Sequence, residues 1–201
     1  MNKIITTIAA SVLCTMAITS SSHSLELVDV RIGATGNSSA YYVSGQETIK
    51  DSGGTTDKQA IATFSYMSAF AEVAIKPAMG LTIGLEYTPD ALSTNTETTK
   101  KVQDELNTTT TQKASAEISD LMMAYVQMPI MDTGGYVRAG LNSANVKTKE
   151  TLGTGSAYGD ETIDGTHAAI GYMGTIQDTG VFYKVEALVM NFSGFTLTGN
   201  E

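Results

Sequence analysis

Charged residues of both signs recur at alternate positions of strand-like segments, and residues of these types can either pair with one another or conduct ions. The opposite face of each of these segments is apolar. A carboxylate beside a guanidinium or an ammonium group forms a charge-assisted hydrogen bond. A ring of such groups can also select ions in a channel. The six candidates are Arg31, Glu72, Glu86, Arg138, Lys184 and Glu186.

His167 is a second candidate, because a histidine with an ordinary pKa can act as a base near neutral pH. Ser156 and Asp164 lie near it in sequence, but no nucleophile motif accompanies them. We therefore expect a solvated histidine at the loop end of a strand and no catalytic residue. The carboxylates of Asp160, Glu161 and Asp164 match no calcium-loop spacing, so we expect no metal site and no cofactor.

The segment from Thr63 to Thr88 shows which elements hold these residues. Its apolar residues alternate with polar ones at a period of two, which is typical of β-strands. The two arms are joined by 76–80, a short connection that contains proline and glycine, so the segment predicts a β-hairpin. Its second arm has Leu81, Ile83, Leu85 and Tyr87 on one face.

The same alternation predicts seven strands of about ten residues each, a length typical of membrane β-barrels. The first of these strands is expected to be interrupted at 36–39 by Gly-Asn-Ser-Ser. Long and short connections alternate along the chain, as in an up-and-down barrel that crosses a membrane. The short connections are 76–80, 129–135 and 177–180, and the polar segments predicted as loops are 46–60, 89–117 and 146–165.

The two faces of the predicted strands differ in charge, and this difference indicates which face is enclosed. One face carries valine, isoleucine, leucine, alanine, tyrosine and methionine without charge, whereas the other carries the six candidates. Unpaired ions in a dry sandwich core would cost several kcal/mol each, on the order known for buried charges. Inside a narrow barrel the same groups can pair, so we expect a charge network in the lumen in preference to a conducting pore.

The first 24 residues predict a secretory signal peptide. A lysine near the start precedes an apolar stretch, and Ser22 and Ser24 provide the small residues of a cleavage site, so residues 25–201 form the barrel domain. Cys14, the only cysteine, lies inside that peptide. The net charge is −9 and the pI is near 4.6, which excludes nucleic acid as an expected partner.

The pattern of strands and loops, together with the Gly-Tyr-Val-Arg-Ala-Gly-Leu stretch at 135–141, resembles small eight-stranded outer-membrane barrels of the OmpA, OmpX and opacity-protein type. The resemblance implies an all-β, up-and-down antiparallel transmembrane barrel with a polar interior, surface loops and no cofactor. Eight strands are expected and seven are present, so the resemblance also implies that the last strand lies beyond Glu201.

These observations predict a non-enzymatic protein of a Gram-negative outer membrane, which acts structurally or through its surface loops. Its partners would be outer-membrane lipid and an extracellular ligand, host surface or phage at the loops, and a monomer is expected. The threonine-rich segment 93–111 is a candidate binding surface or else a solvated loop. Two alternatives stay open: a soluble lipocalin-like barrel that binds a small apolar ligand, and a narrow porin-like pore for small solutes.

Overall fold

The protein is all-β, and seven long antiparallel strands follow one another up and down in one curled sheet. In this computed structural model the described residues are 2–15, 27–48, 55–89, 92–93, 97–103, 108–151, 160–176 and 181–198. Within these ranges, no helix is long and apolar enough to cross a membrane. The predicted fold class, an antiparallel up-and-down β-structure, is therefore confirmed.

The strands begin and end at defined residues, and 3₁₀ turns at Lys76–Ala78 and Met131–Thr133 join two pairs of them. Two short strands, the fifth and sixth along the chain, each pair with the seventh. The strands are β1 (Asn2–Thr15), β2 (Val28–Thr48), β3 (Thr55–Ile75), β4 (Leu81–Thr88), β5 (Leu92–Ser93), β6 (Glu97–Gln103), β7 (Thr108–Pro129), β8 (Gly135–Thr151), β9 (Glu161–Ile176) and β10 (Val181–Thr198).

Strand β1 joins the two edges of the seven-stranded sheet. The sheet runs β2-β3-β4-β7-β8-β9-β10, and β1 is antiparallel to both β2 and β10. The eight strands therefore pair in a closed ring, in which residues 2–15 hold the place expected for the eighth strand. The cleavage before Leu25 and the further strand beyond Glu201 both stay predictions.

The ring has two ends, and we name them by their connections. The turn end carries the short turns between β3 and β4 and between β7 and β8, and the loop end lies opposite. Several strands are longer than the ten residues predicted, and the added residues lie toward the loop end. Strands β2 and β3 each have 21 residues and β7 has 22. The predicted loops 46–60, 89–117 and 146–165 are thus partly strand. Their many threonines favour extended backbone, and hydrogen bonds to strands that are distant in sequence complete the strand structure.

One local prediction about strand regularity needs correction. The expected break at 36–39 is wrong, since β2 continues through it, where Asn37 donates to Ser68 Oγ at 3.0 Å and Ser39 donates to Tyr66 Oη at 3.2 Å. A bulge of β7 between Ser119 and Met122 was not predicted from the sequence. Two residues of β7 there oppose one residue of β8, which changes the face that each later residue occupies.

Candidate functional site in the barrel interior

All six charged candidates point into the ring or lie at its inner edge. Five are buried, and the side chain of Arg31 is 20% exposed. Strands β2, β3, β4, β8 and β10 contribute them, because alternate residues of each strand face inward. We call these six residues the ion-pair cluster.

Glu72 is the acceptor at the centre of one half of this cluster. Its Oε1 lies 3.2 Å from Arg31 Nη1, and its Oε2 lies 2.5 Å from Lys184 Nζ. The Tyr125 hydroxyl donates to the same Oε2 at 3.0 Å. Lys184 also donates to Gln127 Oε1 at 3.0 Å, so strands far apart in sequence meet at one carboxylate.

Arg138 is the corresponding centre of the other half. Its Nη1 lies 3.2 Å from Glu86 Oε2, and its Nη2 lies 3.4 Å from Glu186 Oε1. Its guanidinium carbon lies 4.3 Å from the centroid of the Tyr125 ring, a distance suited to a cation–π contact. Ser68 donates to Glu86 at 2.5 Å, and Tyr136 donates to Glu186 at 3.0 Å. The two halves therefore share Tyr125.

The charges of the cluster cancel, since three carboxylates face two guanidinium groups and one ammonium group. Aromatic faces surround the cations: Lys184 Nζ lies 5.4 Å from the Phe70 ring and 5.5 Å from the Tyr136 ring. Removing one member of such a set leaves an uncompensated buried charge, which costs about 3–5 kcal/mol. The arrangement is suited to holding strands together.

Two glycines make room for the tyrosines that reach these carboxylates. A Cβ at Gly84 would lie 2.3 Å from the Tyr125 ring, and one at Gly171 would lie 2.4 Å from the Tyr136 ring. Each glycine pairs across the sheet with its tyrosine, so the ring lies flat on the neighbouring strand. The sequence did not predict a role for either tyrosine, because only the strand register shows that each one opposes a glycine.

The space left between these side chains is small. A cavity of about 10 Å³ is lined by the aromatic residues Phe70, Tyr125 and Tyr136, by Thr35, and by four members of the ion-pair cluster, which are Glu86, Arg138, Lys184 and Glu186. A single water molecule needs roughly that volume. At this level the interior is filled by side chains, as in other narrow barrels.

His167 is buried inside the ring and is only 4% exposed, so the expected solvated position at a loop end is wrong. It lies within β9 and pairs across the sheet with Gly140 and Met190. Neither its ring nitrogens nor the side-chain amide of Asn142 has a hydrogen-bond partner among the described residues. Buried polar groups in this situation commonly bind ordered water.

The other sequence candidates near the loop end do not form a site in the described part of the chain. Asp160, Glu161 and Asp164 are exposed, and no three His, Cys, Asp or Glu side chains described there come together as a metal site. Ser156 lies outside the described residues. Part of the threonine-rich segment 93–111 forms a hairpin of β6 with β7.

The outward face around the ion-pair cluster is an apolar belt. Among the residues whose side chains are described, each of the strands β2, β3, β4, β7, β8, β9 and β10 contributes exposed apolar residues to it, and no charged residue interrupts it. Prominent members are Val30, Ile32, Met67, Val73, Ile83, Leu85, Tyr87, Met122, Val126, Met128, Val137, Leu141, Ile170, Tyr172, Val185 and Val189. The belt ends where the outward residues become polar, at positions such as Ser65, Asp120 and Asn191.

From the loop-end part of the belt onward, buried apolar residues appear on the inward face, and we call this group the loop-end cluster. Its buried members are Tyr41, Tyr66, Leu121, Met123, Ala144, Val146, Ile163, Leu188, Met190 and Phe192. Tyr41 packs edge-to-face on Phe64, with ring centroids 5.5 Å apart. Burial raises the pKa of Tyr41 well above its ordinary value, so its hydroxyl keeps its proton.

Comparisons with known proteins add no neighbour to this description: no family model, curated protein or solved structure matches the chain.

Proposed function

We propose that this protein is an outer-membrane β-barrel of a Gram-negative cell, with a structural or surface-interaction role at its loop end and no enzymatic one. The observation that supports it most is the apolar belt around an interior that holds six charges. In water this arrangement would leave large apolar side chains exposed on each of the strands β2, β3, β4, β7, β8, β9 and β10, and soluble proteins seldom expose so large an apolar patch. In lipid it is the expected arrangement.

The lower rim of the belt supports the same proposal. Tyr172 and Tyr183 lie on its turn-end side, and their rings are 6.4 Å apart. Tyrosine is enriched where a membrane meets water, because its ring is apolar and its hydroxyl is polar. On the loop-end side the Tyr87 hydroxyl donates to Asp120 at 2.8 Å, which sets a polar group at the opposite limit of the belt.

The loop end is proposed as the interaction surface. The strands continue beyond the belt, where most of the described outward residues are polar, with Ile61 as an exposed exception, and the inside is packed by the loop-end cluster. Strands that pack around an apolar core are rigid, so they would carry the connecting loops away from the membrane surface. Binding residues commonly lie on loops that a rigid scaffold positions. An extracellular ligand, a host surface or a phage remain the proposed partners.

The alternatives make different demands on the interior. A lipocalin-like barrel needs an apolar cavity for its ligand, whereas the loop-end cluster is packed and Met190 is fully buried. A pore needs a continuous passage, whereas the space beside Arg138 and Lys184 is about 10 Å³. These observations favour a closed structural interior.

Membrane extraction tests the proposal directly. The full chain is expressed with its N-terminal segment in a Gram-negative host, and the cells are fractionated into periplasm and outer membrane. The protein is expected in the membrane fraction, soluble only in detergent and with a gel mobility that changes on heating. Recovery from the periplasm without detergent would instead support the soluble ligand binder, and steady single-channel current in a planar bilayer would support the pore.

Topology on intact cells tests the surface role. An epitope inserted within 152–159 is expected to bind antibody on intact cells, because these residues connect the loop-end termini of β8 and β9. The matched control is the same epitope inserted within 177–180, which should bind only after the outer membrane has been permeabilised. Equal labelling of both insertions on intact cells would contradict the proposed orientation.

A further inference from the structure

Two adjacent turns at the turn end carry exposed methionines on strained backbone. Met79 is 83% exposed at φ 54°, and Met131 is 88% exposed at φ 48°. The turns touch, since a Cβ at Gly80 would lie 3.4 Å from Pro129 Cγ. Left-handed backbone is usually occupied by glycine or asparagine, and the side chain of another residue is strained there. In water these turns would therefore combine strain with exposed apolar area.

The height of the apolar belt differs around the ring. On β4 it extends from Leu81 to Tyr87, six residue steps that correspond to about 16 Å at a rise of about 3.4 Å and a tilt near 40°. On β10 it extends from Val181 to Val189, eight steps or about 21 Å. Membrane barrels have an apolar band of about 25 Å. β4 therefore falls short of that band by more than β10 does, and the apolar row of β7 from Met122 to Met128 spans the same six steps as that of β4.

The composition of the turns follows this difference. Beside the short part of the belt, Met79, Ile130 and Met131 are exposed at the turn tips. Beside the tall part, the connection 177–180 has the polar sequence Gln-Asp-Thr-Gly. Apolar turn residues therefore adjoin β4 and β7, whose outward apolar rows are shorter than that of β10. One further strand step on β4 and on β7 adds several ångströms, which brings that side toward the usual band.

We propose that Met79, Ile130 and Met131 are immersed in the lipid surface and complete the belt on its short side. This inference rests on the proposed membrane function. Met79 lies in line with the outward row of β4, Ile130 continues that of β7, and Met131 follows Ile130 in the turn. The occupant is therefore the lipid that already surrounds those rows. Lys76, in the same turn as Met79, pairs with Asp29 at 3.1 Å and is partly exposed. Charged groups stay in the polar headgroup region, so an ion pair in this turn places the turn tips at the boundary between headgroups and acyl chains.

Spin labels at single cysteines test the depth of the turn tips. In a Cys14→Ser background, the full chain carries Met79→Cys or Met131→Cys and is reconstituted in phosphatidylcholine vesicles. The references are Leu85→Cys in the middle of the belt and Ser65→Cys beyond it. We expect the turn-tip labels to be shielded several-fold from a water-soluble nickel chelate relative to Ser65, and to be less deep than Leu85.

Two outcomes distinguish the possible failures. If the turn-tip labels are as accessible to nickel as Ser65 while Leu85 is shielded, this inference is overturned and the membrane barrel stands. If the label at Leu85 is also fully accessible, the proposed membrane function itself fails.

A polar replacement gives a second readout without a label. Asparagine tolerates left-handed backbone, so Met79→Asn with Met131→Asn removes apolar area without adding strain. We expect the urea midpoint to fall in vesicles, because lipid contact is lost. A midpoint that stays constant or rises would mean that the tips lie in water, where relief of strain is the main effect.

Discussion

The half of the barrel at the turn end and the half at the loop end carry their apolar residues on opposite faces. At the turn end, Leu85 and Val185 face outward while Glu72 and Lys184 face inward. At the loop end, Ser65 faces outward while Met190 faces inward. The alternation is the same along each strand, and only the face that is apolar changes. Strand pairing therefore continues through both halves, and we propose that the solvent outside changes from lipid to water.

This comparison explains why the sequence is compatible both with a membrane barrel and with a soluble barrel. The ionic interior and apolar exterior of the turn-end half are typical of a membrane barrel. The apolar interior and polar exterior of the loop-end half are typical of a soluble barrel. One chain contains both arrangements, and the bulge of β7 lies where they meet. The following variants test the inversion, beginning with the largest expected effect.

Removing Arg138 is expected to cause the largest loss. The Arg138→Leu variant leaves Glu86 and Glu186 buried without their counterion, so the free energy of unfolding should fall by about 3–5 kcal/mol. Urea titration in detergent micelles measures it. Adding Glu86→Gln and Glu186→Gln should restore much of the loss, because no uncompensated charge remains. If the free energy of unfolding of the single variant falls by less than about 1 kcal/mol, water hydrates these charges and they do not form a buried ion pair.

Truncation of Met190 tests the opposite half. Met190 is fully buried in the loop-end cluster, so Met190→Ala should cost about 2–5 kcal/mol through lost burial and the cavity it leaves. The same urea titration applies, in vesicles as well as in micelles, and the loss should be equal in both. Its exposed neighbour provides the control, since Asn191→Ala should change stability by less than about 0.5 kcal/mol. Equal effects of the two variants would contradict a packed loop-end interior.

Adding a charge to the outer surface compares the two halves directly. Leu85→Arg places a guanidinium in the belt and should destabilise the protein in vesicles by about 2–4 kcal/mol. Ser65→Arg makes the matched change beyond the belt and should alter stability by less than about 0.5 kcal/mol. Unfolding from phosphatidylcholine vesicles gives both values. If Leu85→Arg is as mild as Ser65→Arg, water surrounds both halves and the inversion has another cause.

The smallest effect is expected at Gly84, where the backbone lies against the Tyr125 ring. Gly84→Ala brings a Cβ within 2.3 Å of the Tyr125 ring and so weakens the Tyr125 hydrogen bond to Glu72. Overpacking of this kind typically costs about 1–3 kcal/mol. A double-mutant cycle with Tyr125→Leu should recover part of the loss. Strictly additive losses would show that the ring does not lie over Gly84.

Local patterns account for the predictions that succeeded. The seven strands and two short turns follow from alternation at a period of two and from glycine and proline in the connections, and each needs only neighbouring residues. The ends of the strands could not be predicted in this way. Segments such as 46–60 are polar in sequence, and their pairing depends on strands that come from distant parts of the chain. The burial of His167 was missed for the same reason.

The sequence by itself determined that this chain forms alternating strands with one uncharged apolar face, because side-chain direction reverses at every residue of an extended backbone. Only the tertiary structure decided which carboxylate each cation meets, which glycine each tyrosine covers, and where the apolar face turns from outside to inside. These depend on the register between strands and on the bulge of β7. A two-residue period is unchanged along the strand and therefore does not contain that information.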